Sequence, residues 1–406
     1  MTTIGLTAET TAGESRVALI PQEVEALGKH SHEILVEKEA GVRAGFSDED
    51  YRARGASVVT RAEALKAGVV VQVRTPGASG GDWRQKVAEL SAGVVVIGMG
   101  DPLGNPKAAQ ELAARDVTSF ALEMLPRITR AQAMDVLSSQ AAIAGYKAVL
   151  VGAGALNKIL PMLSTAAGTL PPARILVVGV GVAGLSAIAT ARRLGGVVQA
   201  YDVRRESREQ VESVGAKFVE LVLDSSAAQG EGGYAAAMSA EFYRRQQELL
   251  ASVVAGSDIV ITTAQVPGKP APKLVSADMV AAMAPGSVVV DVAAAGGGNC
   301  ELSRPDETVT VGGVTVLAPT NLAATVPAHA SRLLAKNFGN FLRHVLGPDG
   351  FNPDLDDPIV SGSLITHHGA VVHPAVRELL GLAGAGEQGS RSTARVGTSA
   401  DSAERS

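Results

Sequence analysis

Two doubly wound α/β domains with mainly parallel sheets, the first of them discontinuous, are what this 406-residue sequence predicts. Three observations carry that expectation. Short apolar runs alternate with helix-forming stretches from residue 3 to 122. One segment, RILVVGVGVAGLSAIATARRLGGVVQAYD at 174–202, reads strand, glycine turn, helix and strand in register. A helical apolar pattern at 327–345 follows the second domain and most simply returns to pack on the first. Composition agrees: residues are 46% hydrophobic but only 3% aromatic, so the cores must be packed with Ala, Val, Leu and Ile, as β/α layers often are.

Taken in order, a short strand at 3–6 leads through 13–21 into a helix at 22–29 and a strand at 33–36. Helix 48–54, strand 56–59, helix 61–66, strand 69–73, helix 83–90, strand 94–98, helix 106–115 and strand 118–122 continue the alternation, without a glycine fingerprint. After Pro126, Met134, Leu137, Ala141 and Ala148 recur at near-helical spacing, which predicts one long helix joining two domains. The expected division is an N-terminal α/β domain at 1–136, a nucleotide-binding domain at 137–328, a return to the first domain at 329–384 and a disordered tail at 385–406, low in apolar residues. Within the second domain, DSSAAQGEGGY at 224–234 predicts an exposed mobile loop, followed by a helix at 240–254. Strands at 259–262 and 287–292 end in Thr263, Ala264, Gln265 and in AAAGGGN. Their loops face the same sheet edge as the fingerprint glycines and wall a ligand crevice there.

In that fingerprint Gly179, Gly181 and Gly184 form G-x-G-x-x-G, the Rossmann-like turn. The first glycine permits the bend, the second lets the backbone approach a pyrophosphate, and the third lets helix pack on strand. The helix N-terminus that follows presents N–H groups and a positive dipole end to phosphate. Asp202, at the end of the next strand, is placed to accept from a ribose 2′-OH and to repel a 2′-phosphate, which favours NAD. Arg204 and Arg205 point the other way, since arginines there can hold the 2′-phosphate of NADP.

The net charge of −5 gives no electrostatic reason to expect nucleic acid. One cysteine, Cys300, excludes an intrachain disulfide framework and fits a reducing compartment; it reads as a small packed residue more readily than as a nucleophile. The N-terminus has neither the basic start nor the apolar core of a signal peptide, and the longest apolar runs fall short of a spanning helix, so a cytoplasmic chain is expected. The histidines, His30, His32, His329, His367, His368 and His373 among them, lack carboxylate or cysteine partners at metal-ligand spacing, and no metal is expected. Arg127, Gln132, Asp135 and Ser138 form a polar cluster at the domain junction, where Asp135 can pair with Arg127; a helix cap with a surface ion pair is the bland reading. None is a convincing proton shuttle. That absence suggests hydride transfer between two bound cofactors, where geometry suffices.

ESRVALIP at 14–21, PRITRAQAMDVLSSQAAIAGYKAV, GVGVAGL, YDVR, GGYAAAMSAEF, ITTAQVPGKPAP, GGNC and LAKNFGNFL together carry a likeness. Over 4–374 the chain resembles the NAD(H)-binding domain I of the proton-translocating, Si–Re specific NAD(P) transhydrogenases, in the form encoded as a separate first portion of the alpha subunit, and more distantly the alanine dehydrogenases. The resemblance implies that Arg127, Ile128, Gln132 and Asp135, with Ser138, serve the nicotinamide, Gln132 reaching toward a partner's NADP(H). It implies that Val182 and Ala183 hold the pyrophosphate, and Asp202, Val203 and Arg204 the adenosine ribose. Gly233 and Tyr234 would close over NAD(H), and Gln246, Ala264 and Gln265 would line the adenine end. It further implies a homodimer that passes hydride to NADP⁺ on the beta subunit's domain III, held at the inner face of the membrane with a membrane-spanning second alpha portion that belongs to the proton path.

Within that likeness, an alanine dehydrogenase looks for a lysine where Arg74 stands and a histidine that VVIGMGDPLGNP lacks. A free-standing amino-acid dehydrogenase is therefore the alternative, and a regulatory nucleotide-binding module the third reading. Gln265 in place of an apolar residue, Ala295 in place of an acid before GGN, and VIGMGDPL in place of an aromatic-containing loop depart from the transhydrogenase pattern.

Overall fold

Strands β1 (Thr3–Leu6), β2 (Glu33–Glu37), β3 (Ser57–Val59), β4 (Val69–Arg74), β5 (Val95–Met99) and β6 (Thr118–Ala121) pair in parallel, with helices between them. The computed structural model describes residues 2–29, 32–220, 240–266, 268–347 and 350–382. The expected mobile loop, with Gly233 and Tyr234, and the tail at 385–406 lie outside the described residues. β4 is buried almost throughout because layers cover both faces of the sheet.

The expected continuous helix after Pro126 is broken. Residues Thr129–Met134 form a 3₁₀ turn, Asp135 leaves helical geometry at ψ 93°, and the α-helix runs Val136–Ala155. Asp135 explains the break: its Oδ1 accepts from the Ser138 N–H at 2.9 Å and its Oδ2 from the Ser138 hydroxyl at 2.6 Å, a side-chain N-cap that competes with helix continuation. This linker helix is mostly apolar, without a single apolar face, and crosses the helix Val182–Arg193 closely. A Cβ on Gly145 would stand 2.0 Å from the Ala183 carbonyl oxygen, so only glycine fits the crossing.

The second sheet follows a small hairpin, β7 (Leu163–Thr165) and β8 (Gly168–Leu170), which is exposed along its length. Its strands are β9 (Arg174–Val178), β10 (Val197–Tyr201), β11 (Lys217–Phe218), β12 (Ile259–Thr262), β13 (Val288–Asp291), β14 (Thr308–Val311) and β15 (Val314–Leu317). They lie in the order β11-β10-β9-β12-β13-β15-β14, and all pairs but β14–β15 are parallel. That last hairpin was not expected, although Gly312 and Gly313, at φ 59° and 81°, make the tight turn its two-residue loop needs.

The helix Pro327–Val345 then returns. Leu334, Phe338, Phe341 and Leu342 are buried in the first core beside Ile4, Val71 and Phe120, whereas Leu333, expected on that face, is 42% exposed. A short hairpin, β16 (Leu346–Gly347) and β17 (Gly350–Phe351), precedes β18 (Leu364–His367) and β19 (Ala370–Val371). β18 pairs antiparallel with β6, which completes an eight-stranded sheet, β19-β18-β6-β5-β4-β1-β2-β3. The first domain is thus built from both ends of the chain.

Candidate functional site

Each sheet reverses its winding direction once. In the second the chain runs β9, β10, β11 outward and then returns to place β12 on the other side of β9, so a switch point opens between β9 and β12. A crevice occupies it, lined by Arg127, Ser138, Gly179, Gly181, Val182, Ala183, Asp202, Val203, Arg204, Gln246, Ala264 and Gln265 among the residues expected for a site. Gly184 lies just beneath, and Ile128, Gln132 and Asp135 stand outside the lining.

The three glycines differ physically. Gly179 has φ 97°, and a Cβ there would meet Thr263 Oγ1 at 2.8 Å. Among the described residues a Cβ on Gly181 would meet nothing within 4 Å, which leaves open space before the N-terminus of the helix Val182–Arg193, an end that no described side chain caps. A Cβ on Gly184 would come within 1.9 Å of the Gly179 oxygen, so this glycine sets the helix–strand spacing. Open backbone beside uncapped N–H groups suits a pyrophosphate.

Asp202 is buried. Its Oδ2 accepts from the Val180 N–H at 2.7 Å and its Oδ1 from the Arg204 N–H at 2.8 Å, and the Arg204 guanidinium grips both oxygens at 2.9 and 3.0 Å. Arg204 therefore acts on Asp202 itself and faces it, while Arg205 is exposed. The opposite wall is held by a residue the sequence reading did not single out. Asn299, fully buried, accepts from the Ala264 N–H at 2.9 Å and donates to the carbonyls of Ala264 and Pro272 at 2.8 and 2.9 Å. Thr263 Oγ1 donates to the Gly179 oxygen at 2.9 Å and ties β12 to the glycine turn. An asparagine directly after a glycine run at a strand end was the available signal. Cys300 is buried and its thiol is pushed up by burial, as befits a packed residue.

At the mouth, no ion pair joins Arg127 to Asp135 among the described residues; the Asp135 oxygens accept from the Ser138 N–H and hydroxyl. The 3₁₀ turn is instead anchored by buried Ala131 and Met134 and by Asn337 and Asn340, whose amides donate to the Ala133 oxygen at 3.0 and 2.9 Å. Gln132 is left exposed on a fixed turn. Of the departures noted, Gln265 is exposed on the crevice wall, and Ala295 is exposed outside its lining.

The first sheet has its own switch point, between β1 and β4, and it is filled from within. Glu14, fully buried, receives Arg16 in a two-pronged contact at 2.7 and 2.6 Å, Arg74 Nε at 3.0 Å and Asn321 Nδ2 at 3.2 Å. Arg16 also donates to Gln140 Oε1 of the linker helix at 3.0 Å, so the cluster joins the first domain to both inter-domain crossings. Burial alone would raise the Glu14 carboxyl, but Arg16 and Arg74 hold it at about 2. Neighbouring Glu9 has no side-chain cation bonded to it among the described residues and accepts from the Val73 and Arg74 N–H groups; burial, then repulsion by Glu14, pushes it up to about 7.

Fold and crevice together define a two-domain Rossmann-type protein. Residues 5–144 match the domain described as alanine dehydrogenase/PNT, N-terminal, and residues 148–374 the corresponding C-terminal domain. The chain belongs to the alanine dehydrogenase/PNT family. It is 45% identical over 380 residues to the separately encoded first portion of the NAD(P) transhydrogenase alpha subunit of Rhodospirillum rubrum, covering 92% of this chain and 98% of that one. The solved transhydrogenase structure from Sinorhizobium meliloti is similar at a TM-score of 0.81 and 43% identity, covering 91% of this chain and all of that one (100%). Alanine dehydrogenase of Halomonas elongata stands further off, 30% identical over 384 residues and covering 91% of this chain and 94% of that one.

Proposed function

We propose that this chain is the NAD(H)-binding component of a transhydrogenase and passes hydride directly to NADP⁺ held by a partner subunit. The crevice residues fit the dinucleotide: open backbone at Gly181 before an uncapped helix end, a buried carboxylate at Asp202, and a buried Gln246 whose Oε1 has no hydrogen-bond partner among the described residues. Bound NADH supplies the hydride. The chain's own residues bind and orient: the glycine turn and the helix N-terminus take the pyrophosphate, Asp202 the adenosine ribose, and Arg127 and Ser138 face the end of the crevice nearest the domain junction. Gln132, with Ile128 beside it, projects from the anchored turn toward the partner. Asp135 positions Ser138 and the start of the linker helix.

The observation that carries this reading over an amino-acid dehydrogenase is the filled switch point of the first domain. There Arg16 and Arg74 are both tied to Glu14, and the place of a proton-moving lysine is taken by Arg74. Hydride transfer between two cofactors needs alignment and no acid or base. Proton translocation and Si–Re specificity belong to the assembled enzyme; this chain would be peripheral, held through a beta subunit and a membrane-spanning alpha portion. A second copy would cover the hairpin β7–β8, where Met162, Leu163 and Leu170 are 65%, 46% and 51% exposed.

The test is to titrate the chain with NADH and NADPH and then to add an NADP⁺-loaded partner domain. Selective NADH binding, with transfer appearing only on addition, is expected. Turnover of pyruvate and ammonia without a partner would sink the proposal.

A further inference from the structure

The end of the crevice beyond Asp202 holds a polar pair with an unmet hydrogen-bonding edge. Tyr201, the last residue of β10, is 4% exposed, and its hydroxyl oxygen accepts from Gln246 Nε2 at 2.9 Å. Gln246 belongs to the helix Ala240–Ala255 and is 2% exposed, yet its Oε1 has no partner among the described residues. Both side chains line the crevice, near Val203, Tyr243 and Leu274. A primary amide has two N–H donors and one acceptor oxygen. With one N–H fixed on the phenol, the other N–H and Oε1 remain as a donor–acceptor edge. A buried oxygen left in this state needs a donor that water or a bound ligand supplies, and Gln246 lines the crevice where a ligand would enter. Burial pushes the Tyr201 phenol up to about 12 even against its Gln246 bond, with Asp202 adding to the rise, so it stays neutral and keeps its place in the pair.

We infer that Tyr201 is a positioning residue: it locks the Gln246 amide with Oε1 toward the crevice, so that a bound dinucleotide is selected for adenine and against a purine carrying an oxo group in place of the amino group. The inference rests on the NAD(H) reading of the crevice. Adenine presents its exocyclic amino donor beside a ring-nitrogen acceptor, the complement of the amide's oxygen and N–H. In hypoxanthine an oxygen replaces that amino group, and two acceptors would face each other. A free amide could turn over and recover the bond. One held by the phenol cannot.

The experiment is fluorescence titration of the full chain with NADH and with reduced nicotinamide hypoxanthine dinucleotide, for the wild type, Tyr201→Phe, Gln246→Met and the double variant. The wild type should prefer NADH by about tenfold or more. Tyr201→Phe should lower that ratio several-fold, mainly by improving binding of the hypoxanthine form, and Gln246→Met should bring it near one. Adding Tyr201→Phe to Gln246→Met should leave the ratio where it was, because Tyr201 acts through the amide. A purely structural Tyr201 would weaken both dinucleotides equally and keep the ratio, which overturns the inference, as does a wild type that binds both alike. A wild type that binds neither overturns the NAD(H) reading itself.

Discussion

Asp202 does two jobs in the structure, and its removal separates them. It pins the Val180 N–H at the glycine turn and it neutralises Arg204. Asp202→Ala should weaken NADH binding by about tenfold, the loss of a charge-assisted hydrogen bond. It should cost NADPH much less, because the released Arg204 can meet a 2′-phosphate; equal losses in the two titrations would count against Asp202 as the ribose reader. Glu9 gives a pH signature. Its folded value, about 7, lies above the ordinary 4.5, so the folded state holds extra proton and the charged form is disfavoured. The resulting cost is absent below about pH 4.5, grows as pH rises, and is complete above about pH 7. Glu14, held at about 2, behaves oppositely: its stabilisation is present above about pH 4.5 and is lost as pH falls toward 2. Glu9→Gln should therefore gain stability on the wild type between pH 5 and pH 8, on the order of 2 kcal/mol. Urea unfolding at the two pH values reads this directly, and a gap that does not change with pH would refute it.

Among the elements, the crossing of the linker helix over the helix Val182–Arg193 decides where the N-terminus proposed to face the pyrophosphate sits. Gly145→Ala would place a methyl 2.0 Å from the Ala183 oxygen and force that end to move. NADH binding should fall several-fold and stability by about 1–3 kcal/mol; calorimetry on both would check it, and unchanged binding would mean the crevice tolerates the shift. The glycine fingerprint, its strands and the acid at the β10 end were all legible in the sequence, because they rest on local period and spacing. The break at Asp135 was legible only in the bland reading of the polar cluster as a helix cap, since apolar spacing runs through it and the side-chain cap on Ser138 starts the helix there. The Glu14 cluster and the Asn299 clamp were not legible. Their members meet across the fold: Arg16 reaches Gln140, 124 residues on, and Asn321 reaches Glu14 from 307 away. The pairing of Arg204 with Asp202 is local, but which way an arginine folds is a matter of burial and partners that spacing does not record.

For the whole molecule, the proposed transfer draws on residues that stand outside the crevice. Gln132→Asn shortens a side chain on a turn whose backbone is fixed by Asn337 and Asn340. It should slow hydride transfer to the partner far more than it weakens NADH binding, and an equal fall in both would reduce Gln132 to a binding residue. Among the described residues the hairpin β7–β8 joins no larger sheet, and an isolated two-stranded hairpin is marginal in water. If a second copy covers this hairpin as proposed, replacing Leu163 and Leu170 together by glutamate should shift the chain toward monomer in sedimentation while leaving NADH binding intact; an unchanged oligomeric state would count against the hairpin as the contact.

The antiparallel seam between β6 and β18 also fixes an order of events on the ribosome. Ser119 meets Thr366, a partner 247 residues later in the chain. At about 5–20 residues per second, β6 waits roughly ten to fifty seconds with an open edge while the entire second domain is made. Such an edge is a template for stray strand pairing. The nascent first domain is therefore a natural client for a chaperone, and a chain truncated before β18 should aggregate where the full one stays in solution.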